Sequence, residues 1–214
     1  MEAVLGVLSE AHALIISNEP KGLGWLLGLL MGVFYLTVAI IAWGLVKAIL
    51  QRDIWAFIRP IEMITRTAGM VSACIVPILA VLIVYEVISR YAFLAPTYWA
   101  FEISYMLMGT TLMLAIGFCS QLRRHIRVDF LYDNVSEKKR AMIDLSGYII
   151  FLLPMLIWCS WGLFVYFLEA YKVNELSGES AWNPIIWPFK FMFAFGFYLF
   201  TIQTVAEVCK NVLV

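Results

Sequence analysis

The residues able to carry chemistry in this chain are a few ionisable side chains beside long apolar runs. Ionisable groups at membrane depth are costly to bury and indicate functional sites by default. Glu86 and Arg90 are four residues apart, which lets them pair on one face of a helix. The sequence has no phosphate-loop, HExxH, GxSxG or paired-carboxylate signature, so it predicts no enzyme activity. The full set is Glu86, Arg90, Glu102, Asp144, Glu169, Lys190 and Glu207.

The positions of cysteine and histidine argue against a metal or cofactor site. The four cysteines stand at least 40 residues apart, without zinc-site spacing, and are expected to be small, buried, apolar side chains. His12 and His125 both lie outside the apolar runs, which excludes a haem held between membrane helices by two histidines. We therefore expect no cofactor and no bound metal.

Composition indicates the class of protein. Of 214 residues, 63% are hydrophobic and 14% charged, whereas a soluble domain carries about 25% charged residues. Fifteen basic and fifteen acidic residues cancel to a net charge of zero. The ionic groups are too few to cover a water-exposed surface, and nucleic acid would require a basic excess. The composition predicts an integral membrane protein that does not bind nucleic acid.

Five apolar runs are each about as long as the roughly 20 residues that a helix needs to cross a bilayer. They are apolar on all faces and too long for barrel strands, so we expect an all-α bundle. Only the last run contains a charge, Lys190. The runs are residues 22–46, 67–85, 103–122, 145–168 and 180–206.

The positive charges predict the topology. Residues 47–66 contain four basic residues, residues 121–140 contain six, and Lys210 adds one, so 11 of the 15 lie on one side. By the positive-inside rule this side is cytoplasmic. With five spans, the N-terminus is then periplasmic and the C-terminus cytoplasmic.

Residues 47–66 have the pattern of an amphipathic helix. Arg52, Arg59 and Arg66 recur every seven residues on one face, opposite an apolar face. This pattern predicts a helix in the membrane-surface plane, with its arginines toward phospholipid headgroups. The apolar face consists of Leu50, Ile54, Phe57, Ile61 and Ile64.

A second pattern lies in the first apolar run, where Gly24, Gly28 and Gly32 form a GxxxGxxxG series. Small residues at this spacing permit another helix to approach closely, either within the chain or from a partner. The alternative is the ordinary frequency of glycine in membrane helices.

Three motifs in order carry a resemblance to a known family. Residues 90–93 read RYAF, followed by Pro96, Trp99 and Glu102; residues 125–129 read HIRVD; Asn183-Pro184 precedes Trp187 and Lys190. From about Val71 onward the chain resembles the small permease subunit of tripartite ATP-independent periplasmic (TRAP) transporters. The HIRVD segment is the most specific of the three.

The resemblance implies a four-helix membrane domain over residues 67–214. Residues 1–66 would hold a leader, an extra transmembrane helix and the surface arm, and the extra helix departs from the family pattern. The implied location is the bacterial inner membrane. The implied partners are a large multi-span permease subunit, which moves as an elevator, and a periplasmic substrate-binding protein. The small subunit would scaffold sodium-coupled uptake of an organic acid or similar solute.

The resemblance also implies roles for single residues. Arg90, Trp99 and Glu102 would shape the periplasmic edge near a partner, and Arg127 and Asp129 would fix the cytoplasmic turn. Lys190, inside the last apolar run, is expected to face a carboxylate or a lipid headgroup. The rival hypothesis is a self-sufficient homo-oligomeric transporter or channel, with Glu86 or Glu102 as its essential carboxylate.

Overall fold

The computed structural model describes residues 24–51, 53–122 and 136–212, and this part of the chain is an all-helical bundle. Five helical stretches are long and apolar enough to cross a membrane, which confirms the predicted fold class. A five-residue π-helical segment, Tyr148–Leu152, joins the fourth and fifth helices. The helices are α1 (Gly24–Gln51), α2 (Trp55–Tyr91), α3 (Ala100–Gln121), α4 (Glu137–Gly147), α5 (Leu153–Val173) and α6 (Trp187–Val212).

Helix α6 lies at the centre of the bundle and packs against α2, α3 and α5. In its most apolar stretch 56% of the residues are buried, compared with 6% in α2. Trp187, Phe191, Phe195 and Leu199 recur every fourth residue and are all buried. This spacing places them on one helix face, where they join Leu27 and Met31 of α1 and Phe167 of α5 in the main core.

Two glycines set the closest helix contacts. A Cβ atom added at Gly196 of α6 would lie 2.6 Å from Met113 Cβ and 2.7 Å from the Met113 carbonyl oxygen of α3. A Cβ added at Gly69 of α2 would lie 2.6 Å from the Phe118 ring of α3. Since carbon atoms pack at about 3.5–4.0 Å, only glycine lets these helices approach this closely.

The π-helical segment lies directly before Pro154 of α5. Proline has no backbone N–H, and its ring clashes with the carbonyl four residues earlier in a regular α-helix. The wider π turn relieves this conflict, so α4 and α5 form one span over Met142–Val173.

The structure places the arm segment differently from the expected single surface helix. Residues up to Gln51 belong to α1, and those from Trp55 onward form the first turns of the membrane-spanning α2. Ile58 and Ile61 are fully buried in a small core with Ala206 of α6, while Arg59 and Arg66 are exposed. The same amphipathic period fits burial against protein or against lipid. The structure shows protein contact at Ile61, while Leu50 and Ile54 of the predicted apolar face are exposed.

Two glycines of the α1 series, Gly28 and Gly32, face open space within the described part of the chain. No heavy atom lies within 4 Å of a Cβ built at Gly28 or Gly32, whereas Leu27 and Met31 of the same helix are buried. Gly28 and Gly32 therefore do not mediate close packing among the described helices.

The cysteines correct a smaller expectation. Cys74 is exposed, and Cys119, Cys159 and Cys209 are half-buried and free. Since lipid is as apolar as a protein core, a cysteine in a membrane helix has no need of burial within the protein.

Candidate functional site

The chemistry-bearing residues gather at the two ends of the bundle. The outer end is where α2 and α5 finish and α3 and α6 begin, and the predicted topology makes it periplasmic. At this end Arg90 donates from Nε and Nη2 to Glu86 Oε1, at 3.1 and 2.6 Å. The other oxygen of Glu86 accepts from the backbone N–H and the hydroxyl of Thr97. Glu86 thus joins the last turn of α2 to the loop that leads into α3.

Trp99 lies at the start of α3 and stacks on Tyr85 of α2, with the ring centroids 6.0 Å apart. Tyr91, Phe93, Leu94 and Tyr98 of the same loop are strongly exposed. Aromatic side chains exposed at a membrane boundary anchor a protein at the headgroup level. These aromatic rings place the α2–α3 loop at a membrane surface, which is the periplasmic one in the predicted topology.

Glu102, in the first turn of α3, is completely buried. Ser177 donates a hydrogen bond of 2.6 Å from Oγ to Glu102 Oε2. Glu102 Oε1 is buried and has no hydrogen-bond partner among the described residues. The carboxylate thus holds the α5–α6 loop over the outer end of α3.

Lys190 is a buried cation in the first turn of α6, with 6% of its side chain exposed. Its Nζ lies 2.5 Å from Glu175 Oε2 and 3.6 Å from the centroid of the Tyr166 ring. Glu175 supplies the carboxylate that the sequence led us to expect, and the aromatic face adds a cation–π contact. Both side chains come from elements other than α6, so Lys190 fixes α5 and the α5–α6 loop against α6.

The α5–α6 loop has the backbone of a short hairpin. Leu176 and Ile185 form an antiparallel bridge, and the Ser177 and Ile186 N–H groups donate to Pro184 and Glu175 carbonyls. Asn174 has a left-handed backbone (φ 48°) that ends α5, a conformation that asparagine tolerates. The loop is thus braced internally and tied down at Glu102 and Lys190.

Replacing Glu175 with alanine is expected to loosen this loop. The Lys190 ammonium would lose its carboxylate while remaining largely buried, so amide hydrogen exchange across residues 174–186 should accelerate about tenfold. Glu179→Ala is the matched control, because Glu179 lies exposed in the same loop. Equal exchange in the two variants, measured by mass spectrometry on the purified chain, would show that the ion pair does not hold the loop.

The inner end contains a buried polar network that the sequence analysis missed. Lys210 Nζ of α6 pairs with Glu207 Oε1 at 2.6 Å and also with Glu62 of α2. Glu207 Oε1 accepts from Gln203 Nε2 at 3.0 Å, and Gln203 Oε1 accepts from Thr65 Oγ1 at 3.0 Å. The signal was present in the sequence: residues 203, 207 and 210 lie on one helix face.

Thr65 lies where this network meets a third helix: its hydroxyl donates to Gln203 and is 3.4 Å from Gln121 Oε1 of α3. Thr65 and Gln203 are fully buried, and Glu207 is 1% exposed. The network therefore joins the start of α2 to the end of α6 at the inner end, with the end of α3 beside it.

Three of the predicted site residues, Arg52, Arg127 and Asp129, lie outside the described residues. Within the described ranges no group of three or more His, Cys, Asp or Glu side chains is placed to hold a metal ion.

Between the two ends the polar contacts are few and local. Ser72 of α2 donates to the Thr111 carbonyl of α3 at 2.9 Å, and the Ser160 and Thr201 hydroxyls join α5 to α6 at 3.0 Å. Around them the described core consists of apolar and aromatic side chains. The described polar contacts therefore hold helices together, and the ionic groups lie at the two ends of the bundle.

These features define a membrane-embedded helical bundle whose polar contacts hold helices and loops in place. The chain belongs to the family described as "Tripartite ATP-independent periplasmic transporters, DctQ component", whose model matches residues 79–213. The resemblance drawn from the three motifs is thereby confirmed. No curated protein and no solved structure matches the chain. The protein is therefore a small membrane component of a TRAP transporter, a system whose other parts are a large permease and a periplasmic binding protein.

Proposed function

We propose that this chain is a non-catalytic scaffold that anchors the large, elevator-type permease subunit during sodium-coupled uptake of an organic acid or similar solute. The observation that carries the proposal is the placement of charge. The described ionic contacts, Arg90 with Glu86, Lys190 with Glu175, and Lys210 with Glu62 and Glu207, lie at the two ends of the bundle. A substrate path needs polar groups near the bilayer midplane, where this bundle is packed with apolar side chains.

The outward faces of the bundle also support a scaffold. Large apolar side chains are exposed along α2, the π-helical segment and α5, among them Ile78, Val81, Phe151 and Trp158. In a membrane such surfaces are covered by lipid or by another membrane protein. The broad apolar faces give the large subunit a stationary surface to pack against.

The proposed contacts follow the predicted topology, with the N-terminus periplasmic and the C-terminus cytoplasmic in the bacterial inner membrane. Arg90, Trp99 and Glu102 shape the periplasmic edge toward the partners, together with the loop held by Lys190. At the cytoplasmic side, Arg127 and Asp129 fix the turn.

Lipid and helix contacts complete the proposal. Arg52, Arg59 and Arg66 face phospholipid headgroups. Gly24, Gly28 and Gly32 offer a packing face to a neighbouring helix. Residues 1–66 form an addition to the four-helix domain of residues 67–214.

The rival function, a self-sufficient homo-oligomeric transporter, requires Glu86 or Glu102 on a central path. Both carboxylates instead serve local structure. Glu86 holds Arg90 and Thr97, and Glu102 is covered by the loop through Ser177. The scaffold is thus favoured by the geometry of the same two residues that the rival needs.

Reconstitution tests the proposal directly. The tagged chain is expected to co-purify with the large permease subunit of its transporter. In proteoliposomes, uptake of the organic acid that thermally stabilises the binding protein should require this chain, the large subunit, the binding protein and an inward sodium gradient. The chain alone should give no uptake. Uptake by the chain alone that is lost in Glu86→Gln or Glu102→Gln would establish the rival instead.

A further inference from the structure

We propose that a bilayer phospholipid binds at Arg90, with its phosphate on the guanidinium and an acyl chain in the cleft between α2 and α3. This inference goes beyond the scaffold role and does not depend on transport. The cleft has a volume of 270 Å³ and opens at the outer end. It is lined by Ile83, Glu86, Val87, Arg90, Tyr91, Phe101 and Ser104.

The first step is a count of donors and acceptors around Glu86. A carboxylate offers about four acceptor positions, and Glu86 receives four donors: Nε and Nη2 of Arg90, and the N–H and hydroxyl of Thr97. A guanidinium has five N–H donors, of which Arg90 uses two within the described chain. Three donors therefore remain on a side chain that is 50% exposed.

The second step is the position of those donors. Arg90 lies in the last turn of α2, next to Tyr91 in the chain, and the rings of Tyr91 and of Tyr98 in the following loop are exposed. Exposed aromatic rings at the end of a span mark the depth of the lipid headgroups. The guanidinium is planar and donates in a fork that matches the oxygens of a phosphate. Arg90 thus presents an oriented cation, held by Glu86, at the depth where lipid phosphates lie.

The third step is the shape and lining of the cleft. Ile83 and Val87 lie seven and three residues before Arg90, so they line the cleft inward from the headgroup level, opposite Phe101 of α3. The exposed lining of the cleft inward of Arg90 is mostly apolar, which suits a flexible acyl chain.

The test is lipid binding by the full-length chain in detergent, measured by native mass spectrometry. Dioleoylphosphatidylglycerol and dioleoylglycerol, which share acyl chains but differ in the phosphate, are titrated separately. Arg90→Gln is expected to weaken binding of the phospholipid about tenfold and to leave dioleoylglycerol unchanged. Arg59→Gln is the matched control, because Arg59 is an exposed arginine at the opposite end of α2.

A second variant tests the cleft separately from the charge. Val87→Trp leaves the Arg90–Glu86 pair in place and fills the cleft from an exposed position, so both lipids should bind more weakly. Unchanged phospholipid binding in Arg90→Gln would overturn the proposal. Loss of binding-protein or large-subunit association in Arg90→Gln, with lipid binding intact, would assign Arg90 to a protein contact and also overturn it.

Discussion

Gly196→Leu is expected to separate α3 from α6 and to lower the free energy of unfolding by about 3 kcal/mol or more. Overpacking a core typically costs about 1–3 kcal/mol. The new Cβ would lie 2.6 Å from Met113 Cβ and 2.7 Å from the Met113 carbonyl oxygen. A backbone carbonyl cannot rotate away as a side chain can, so the helices themselves must move. In a chain of this size the loss corresponds to roughly 6–12 °C in the thermal midpoint.

The control for this variant is Gly162→Leu. Gly162 lies in α5 with no heavy atom within 4 Å of the added Cβ, so the same substitution there meets open space. Leucine has a higher helix propensity than glycine, by up to about 1 kcal/mol. This gain offsets part of the loss of stability expected at Gly196. Thermal unfolding in detergent measures both. Equal midpoints would show that α3 and α6 are not in contact at Gly196.

Glu207→Ala is expected to cost about 3 kcal/mol, because it breaks the centre of the inner network. Glu207 is 1% exposed and accepts from Lys210 Nζ at 2.6 Å and Gln203 Nε2 at 3.0 Å. Its removal leaves the buried Gln203 amide without that acceptor and Lys210 with Glu62 as its remaining ionic partner. The measurement is again the thermal midpoint of the purified chain.

Glu62→Ala separates burial from charge in this network. Glu62 pairs with the same ammonium group but is 26% exposed. Since a partly solvated ion pair contributes at most about 1 kcal/mol, this variant should lose far less stability than Glu207→Ala. If Glu62→Ala lost more stability than Glu207→Ala, the more exposed Lys210–Glu62 pair would be the stronger part of the network.

Parts of the candidate site were predictable because they depend on local spacing. Glu86 and Arg90 are four residues apart on one helix, and they pair as this spacing predicts. For Lys190, the cost of a buried cation predicted a carboxylate or a lipid headgroup as its partner. The choice between them depended on the hairpin that brings Glu175 back over α6. The link from Glu102 to Ser177 spans 75 residues of sequence and has no local signal.

The arm segment shows why an amphipathic pattern is ambiguous. The spacing of its apolar residues indicates which face of the helix is apolar. It does not indicate whether protein or lipid covers that face. Ile58 and Ile61 are buried against α6, which the hydropathy of residues 47–66 alone could not indicate.

The sequence by itself determined the class of protein, the five spans and the gathering of charges at their ends. Each of these follows from local hydropathy, because every residue in lipid meets the same cost of exposing a polar group. Only the tertiary structure decided that α6 is central, that Gly196 and not Gly28 or Gly32 makes a close contact among the described residues, and that Thr65 meets Gln203 across 138 residues. These depend on how each helix is rotated about its axis. Helices that are apolar on all sides carry almost no rotational signal, so packing between distant segments decides it.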